Sequence, residues 1–428
     1  MPSRVFASTA AVGCSTLLIY SMYRLFGSKN TKAKTEATES LFPSGKTTFL
    51  VAGDIGGTNS RFALHLPGKK EPLLTHIYRN EEALQNSKSY HHATLKPFFE
   101  KCLAEVEQWM GLSEGEMKSK VQVVACLAVA GPVKADNSVF MTNIAKGCRI
   151  DGNEIERCAD GLLDLVVRCK LVNDFVGQGY GLLDLDLDEE VVELIPGSKD
   201  RIDKLGPKAC VGAGTGLGEC FLTINSLAPE LGYECYPCEG GHVDWVPRGP
   251  LEVELHEFLK TKFGAATRVS TERVVSGRGL ANVYEFLAQK FPGRVDSAIH
   301  AEFLNAGDQQ GRVVGMSSTK DGSLMQQASN IMISSYGAEV GNAALKYIPT
   351  GGLYVSGGLT PKNLHLIEGL DSPFMKAYLD KGRMTSLCEG IPLFAVKNED
   401  IGLRGARVCA ERVSLTNLDL RCHCLRAN

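Results

Sequence analysis

Two glycine-rich segments, Asp54-Ile-Gly-Gly-Thr-Asn59 and Gly212-Ala-Gly-Thr-Gly-Leu-Gly218, each stand between apolar runs. Glycine lets a chain turn tightly, and successive backbone N–H groups in such a turn can cradle phosphate oxygens. Thr58 and Thr215 add hydroxyl donors, and Asp54 brings a carboxylate able to hold a magnesium ion through water. Either turn alone reads equally well as a glycine hairpin. Two in matching contexts read as the halves of a nucleotide phosphate clamp.

Between them, Lys170-Leu-Val-Asn-Asp-Phe175 ends an apolar run in an amide beside a carboxylate. Asn173 can fix a hydroxyl by donating and accepting, and Asp174 can take its proton as the oxygen attacks phosphorus. Glu239-Gly-Gly-His242 with Asp244, and Thr271-Glu272-Arg273, add carboxylates and an imidazole suited to gripping vicinal hydroxyls, as on a sugar ring. Singly, these are an Asn-Asp turn, a helix-start carboxylate and a structural histidine. Together they point to phosphoryl transfer onto a polyhydroxyl acceptor.

Other nucleotide motifs fail on the same residues. The second turn spaces its glycines G-x-G-x-G, not G-x-G-x-x-G, and a strand-like run follows it where a dinucleotide fold needs a helix. Gly45-Lys46-Thr47 resembles the end of a P-loop, but Ser40 stands where the first glycine belongs and the triplet precedes its strand.

These residues need elements to hold them. Phe49–Ala52 and Ser60–Leu64 read as strands around the first turn, and Lys208–Val211 and Glu219–Leu222 around the second. Val121–Ala130 reads as a buried strand and 352–356 as another, ending in Gly357-Gly358. Leu95–Trp109, Leu251–Phe263, Ala281–Lys290 and Ser329–Tyr347 read as helices. This mixture predicts an α/β chain of two related lobes around a cleft, residues 49–175 and 176–428, preceded by a separate segment at 1–48. The acid-leucine alternation of Asp184–Glu190 lacks the glycine and terminal glutamate of a calcium loop and reads as a solvated edge.

The 428 residues suffice for two buried cores, and a net charge of −3 provides no basic field for nucleic acid. Fourteen cysteines lie in largely apolar contexts, which suits thiols in a reducing compartment. Cys235-Tyr-Pro-Cys238, near His242, has zinc or redox spacing but no second such pair, so no metal is expected there. Residues 5–23 carry no charge between Arg4 and Arg24, and in a helix they would span about 28 Å, near a bilayer's hydrocarbon thickness. Their Ser, Thr and Ala content, and the absence of acidic residues before Glu36, suit a cleaved mitochondrial or plastid targeting peptide equally. An anchor would leave the catalytic part facing the cytoplasm, because the positive charge is heavier after the apolar run.

The chain resembles the bacterial-type glucokinase family. The resemblance rests on residues 53–59, Ala128-Val-Ala-Gly-Pro-Val133, Met141-Thr-Asn143, Val172-Asn-Asp-Phe175, residues 212–218, Glu239-Gly-Gly-His-Val-Asp244, Thr271-Glu-Arg-Val274, Ser276-Gly-Arg-Gly-Leu280 and residues 352–358, in the family's order. It implies the two-lobed, actin-like ATPase (ribonuclease H-like) fold, with ATP, its Mg2+ and glucose bound between the lobes, and a homodimer. Carried over, Asn173, Glu239, His242, Glu272 and Asn143 look like glucose ligands, and Asp174 looks like the base for the 6-hydroxyl. Asp54, Gly56, Gly57, Thr58, Asn59, Gly214, Thr215, Gly216 and Gly218 look like the phosphate and magnesium side, with Gly357 and Gly358 near adenosine. Cys238 departs from the glycine common before Glu239, residues 184–204 look like an insertion, and 1–48 have no counterpart. ROK-type sugar kinases share the first turn, but their zinc motif is not recognisable. The rivals are a kinase for mannose, fructose or glucosamine, a catalytically silent sugar sensor, and a membrane-tethered scaffold.

Overall fold

The strand Val121–Val129 is buried along its whole length, and its side chains alternate between two cores. Val121, Val123, Ala125, Leu127 and Val129 face one, while Val124, Cys126 and Ala128 face the other. A strand enters two cores only when both faces of its sheet are covered, which is why its sequence shows no polar face.

The computed structural model describes residues 45–85, 89–142, 144, 147–157, 165–225 and 232–425, with side chains left out at 114 and beyond 414. The proposed segment at 5–23, and Asn143, lie outside the described residues. Residues 48–428 form one compact unit. Its strands are β1 (Thr47–Ile55), β2 (Asn59–His65), β3 (Leu74–Arg79), β4 (Val121–Val129), β5 (Ser138–Met141), β6 (Cys148–Asp151), β7 (Val166–Asn173), β8 (Val191–Glu193), β9 (Lys208–Ala213), β10 (Leu217–Ile224), β11 (Tyr233–Cys238), β12 (Leu353–Ser356) and β13 (Leu393–Val396). A five-stranded sheet has the order β3-β2-β1-β4-β7, and a six-stranded sheet the order β11-β10-β9-β12-β13-β8.

The helices that bear on the site are α1 (Lys96–Met110), α2 (Asp174–Leu182), α3 (Pro250–Phe263), α4 (Gly277–Lys290), α5 (Leu324–Tyr347) and α6 (Ile401–Leu425). Phe98, Phe99, Cys102 and Val106 of α1 cover the outer face of the first sheet. The outer face of the second receives Leu280, Val283, Tyr284 and Leu287 of α4, and Ala328, Met332, Tyr336 and Val340 of α5. Between the sheets lies a shared core in which Ala52, Cys126 and Ala128 meet Cys210, Tyr354 and Phe394. Val176 and Tyr180 of α2 and Ala406, Cys409 and Ala410 of α6 complete it, so the last helix returns to strands from early in the chain. Gly405 permits that return, since a Cβ there would overlap the Gly177 carbonyl.

The helices begin where caps allow. Helix α4 starts four residues before the run predicted at 281, because the Ser276 hydroxyl accepts from the Gly279 N–H at 2.8 Å. Helix α5 likewise starts at Leu324, behind Ser323, and α3 ends at Gly264, whose positive φ of 61° suits a left-handed cap. The acid-leucine stretch is less solvated than its composition predicts. Asp184 pairs with Arg407 of α6 at 2.8 Å and with Lys70 at 2.8 Å, while Leu183, Leu185 and Leu187 pack on the shared core.

Candidate active site

The ends of β1, β4 and β7 meet at one edge of the first sheet. Val129 of β4 pairs in parallel with Asn173 of β7, and the Ala130 N–H donates to the Ile55 carbonyl at 2.9 Å. In α/β sheets, ligands gather outside such strand ends. Here that edge carries the first glycine turn, Gly131 and the Asn173-Asp174 pair.

The first turn closes the β1–β2 hairpin, whose register pairs Asp54 with Arg61 and Ile55 with Ser60. Gly56 N–H donates to the Asn59 carbonyl at 3.0 Å, and Thr58 is exposed at the tip. A residue with no motif signal holds this turn: Asn80, only 1% exposed. Its side-chain amide donates to the carbonyls of Gly56 (2.8 Å) and Gly57 (3.2 Å), and its backbone N–H donates to the Thr58 carbonyl at 2.9 Å. Its own oxygen accepts from Ser60 at 2.6 Å, and Tyr90 donates to Ser60 at 2.5 Å. With the carbonyls tied inward, the turn's remaining N–H groups are left for a ligand.

Asp174 opens α2. Asn173 caps that helix, its side-chain oxygen accepting from the Phe175 N–H at 2.9 Å while its amide donates to the Gly131 carbonyl at 3.2 Å. Burial, with the nearby negative charge of Asp54 second, pushes the Asp174 carboxyl up to about 7. The Phe175 N–H works against the rise, and Glu239 adds to it. Burial also raises Asp54, opposed by Arg61, whose guanidinium lies 3.8 Å from it and 3.6 Å from Asp400 at the head of α6.

The second turn joins β9 to β10 and is gripped from four sides. Gly357, with φ of +83°, packs against the Ala213 backbone, where a Cβ would overlap. The Gly277 N–H at the start of α4 donates to the Gly214 carbonyl at 2.8 Å. The Glu272 carboxylate accepts from the Leu217 N–H at 2.9 Å and lies where a Gly216 side chain would be. The Phe175 ring, next to Asp174, fills the space beside Gly212 and Gly218. Thr215 is exposed at the tip, and a Cβ at Gly214 would meet no atom within 4 Å. Gly358 lies on the side of Lys362 and Glu399. Beneath, the buried Tyr336 hydroxyl of α5 lies within 3.2 Å of the Val211 and Ser356 carbonyls and the Ala213 N–H, so one group ties the strands that carry the turn and Gly357.

The Glu239–His242 turn is brought to Glu272 by backbone pairing. Asp244 bridges to Ser270, and the Thr271 N–H donates to the Val243 carbonyl at 2.9 Å. Arg268 adds a bond to the His242 carbonyl at 2.8 Å and one to Asp244 at 3.2 Å. Glu239 and His242 are exposed, 3.9 Å apart, with side chains open to a ligand. Thus Asn173, Asp174, Glu239, His242 and Glu272 converge with both turns, while Asn59 sits on β2 and contributes its carbonyl to the first turn. Cys235 and Cys238 are an odd number of residues apart on β11 and face opposite ways, Cys235 toward Gly179 of α2 and Cys238 toward Tyr347 of α5. Among the described residues no cluster of three or more His, Cys, Asp or Glu is placed to hold a metal ion directly, and no helix is long and apolar enough to cross a membrane.

Sequence reasoning had no signal for Asn80, Tyr336 or Glu219, the last a buried acid beside the second turn. Each acts on residues far along the chain, and none stands in a recognisable motif.

The family model described as Glucokinase matches residues 51–413. A glucokinase of Synechocystis sp. is 36% identical over 372 residues, covering 84% of this chain and 97% of that protein. The structure of Balamuthia mandrillaris glucokinase in complex with glucose superposes with a TM-score of 0.64 at 22% identity, covering 85% of this chain and 94% of that one. A ROK family glucokinase from Streptomyces griseus, in complex with glucose and AMPPNP, gives 0.51 at 18% identity, covering 85% and 99%. The fold is that of the actin-like ATPases, as these neighbours share it.

Proposed function

The chain belongs to the glucokinase family, and on that premise we propose that it transfers the γ-phosphoryl group of ATP to the 6-hydroxyl of glucose, with Asp174 as the base. The observation that carries this reading is the position of Asp174. It stands at the head of a helix between both glycine turns, with a carboxyl pushed up to about 7, where a base both accepts and releases a proton near neutrality.

Asn173 holds the acceptor hydroxyl beside that carboxylate, while Glu239, His242 and Glu272 grip the remaining hydroxyls and fix the ring. Asn143, whose support is the family motif alone, completes this set. The N–H groups of Gly57 and Gly216 and the hydroxyls of Thr58 and Thr215 hold the polyphosphate, while the N–H groups of Gly56 and Gly214 close the two turns on the carbonyls of Asn59 and Gly216, with Gly357 and Gly358 toward the adenosine. Asp54 fits a magnesium ion carried by those phosphates: among the described residues its carboxylate has one distant counter-ion, Arg61 at 3.8 Å. When bound, that ion would neutralise charge on the transferring group. The remaining work is positioning, since phosphoryl transfer needs little covalent help from a protein.

For residues 5–23 the proposal is a segment that targets or tethers the enzyme, supported by the charge-free run between Arg4 and Arg24. Recovery of the full chain with membranes supports tethering, and a mature form starting near Thr48 supports cleavage.

The test is sugar-dependent ADP release with glucose, mannose, fructose and glucosamine, each beside an Asp174→Ala variant. Strong turnover with glucose, lost in the variant, is expected. Turnover confined to another hexose would overturn the choice of sugar, and glucose binding without turnover would favour a sensor.

A further inference from the structure

Beneath the Glu239–His242 turn lies a pair of buried acids that no catalytic step uses. Glu219 of β10 is wholly enclosed and Glu339 of α5 is 3% exposed. Glu339 is well anchored: Lys346 reaches it at 3.3 Å and the Asn342 amide donates to it at 3.0 Å, while Lys381 holds Asn342 in that orientation at 2.9 Å. Glu219 is not. Its Oε1 has no hydrogen-bond partner, and its Oε2 has the Cys238 thiol at 3.9 Å, a thiol that also lies 3.1 Å from the Tyr347 hydroxyl.

Both positive charges near the pair serve Glu339, Lys346 in direct contact and Lys381 at longer range, so the enclosed Glu219 keeps no cation in contact with it. The two carboxyls become hydrogen-bond partners only when one keeps a proton. Burial first, then the negative charge of Glu339, raises Glu219 to about 8, with Lys346 and the Cys238 thiol working against the rise. The groups facing Glu219 are therefore Glu339, Lys346, Tyr336 and Tyr347 of α5 and Cys238 of β11. Near neutrality Glu219 is the neutral member, with an O–H to give to Glu339.

The turn rests directly on Glu219. A Cβ at Gly240 would overlap the Glu219 carboxyl, and one at Gly241 would overlap the Leu217 carbonyl, so the backbone between Glu239 and His242 has no slack against β10. We propose that Glu219 is a positioning residue for sugar binding: its protonated carboxyl, bonded to Glu339, is the floor that sets the height of the Glu239–His242 turn, and ionising it displaces that turn. The inference rests on the reading of Glu239 and His242 as sugar ligands.

The consequence is a glucose KM that rises on the alkaline side while kcat holds, a split that a general loss of structure would not produce. The experiment measures glucose KM and kcat from pH 6 to 9.5 on the full chain, its Glu219→Gln variant and its Glu339→Gln variant. Wild-type KM is expected to climb above about pH 8, by up to tenfold for each further pH unit. Glu219→Gln, permanently neutral and still a donor, should keep the low KM throughout. Glu339→Gln removes the neighbouring negative charge and should move the rise to lower pH, which keeps the idea testable if the first variant does not fold. A flat KM in an active wild type, or an unchanged rise in Glu219→Gln, overturns the inference alone. Absence of glucose turnover at every pH overturns the reading beneath it and this inference together.

Discussion

Replacing Asp174 with Asn should slow catalysis severely and stabilise the protein at the same time. The carboxyl stands at about 7 instead of its ordinary 3.8, chiefly through burial and the charge of Asp54. At 1.36 kcal/mol for each pH unit, that rise corresponds to about 4 kcal/mol of strain once the native carboxyl is forced to ionise. Because the native state holds the proton more tightly than the unfolded chain does, the favourable contribution is complete below pH 3.8 and is lost as pH rises through 7. Asn is neutral at every pH and keeps an oxygen for the Phe175 N–H, which donates to Asp174 at 3.0 Å. The stability gained by Asp174→Asn should therefore be small near pH 4 and reach about 2–4 kcal/mol above pH 8, the lower figure allowing for water in the cleft. Turnover should fall by about 10²- to 10⁴-fold. In the wild type, kcat/KM should drop tenfold for each pH unit below about 7, a limb the variant lacks. Urea unfolding of both proteins at pH 4.5 and 8.5, with a pH–rate profile, measures all three quantities. A variant within a few-fold of wild-type turnover, or a stability difference independent of pH, refutes the reasoning.

Three further outcomes follow from the geometry of the turns. Gly216→Ala places a methyl group where the Glu272 carboxylate lies; that flexible acid should swing away, raising glucose KM severalfold while the melting temperature barely moves. Asn80→Ala releases the carbonyls of Gly56 and Gly57 and strands the buried Ser60 hydroxyl, so ATP KM should rise and stability fall by about 1–3 kcal/mol in urea melts. Tyr336→Phe removes the hydroxyl shared by Val211, Ala213 and Ser356 and should cost about 1–3 kcal/mol of stability, with ATP KM the kinetic constant most affected.

Local chemistry made much of this protein legible. Val121–Ala130 reads as a doubly buried strand, since a run of apolar residues interrupted by Gln122 alone offers no polar face, and β4 spans Val121–Val129. The two turns announced themselves because glycine's conformational freedom is a property of the residue alone. Asn173-Asp174 at a strand end likewise needed no partner to suggest a hydroxyl acceptor and a base.

What the sequence did not disclose depends on groups far apart in the chain. Gly212 and Gly218 are glycines that the Phe175 ring requires, and that ring comes from the start of α2, far back along the chain. Asn80 holds a turn more than twenty residues upstream, Glu219 meets Glu339 across 120 positions, and α6 returns to cover β4. Backbone conformation is governed by a residue and its immediate neighbours, so the sequence by itself determined the turns, the strands and the candidate acid. Burial, proton affinity and the height of a loop are sums over everything packed around a group, and only the tertiary structure decided which carboxyls keep a proton and what holds each turn in place.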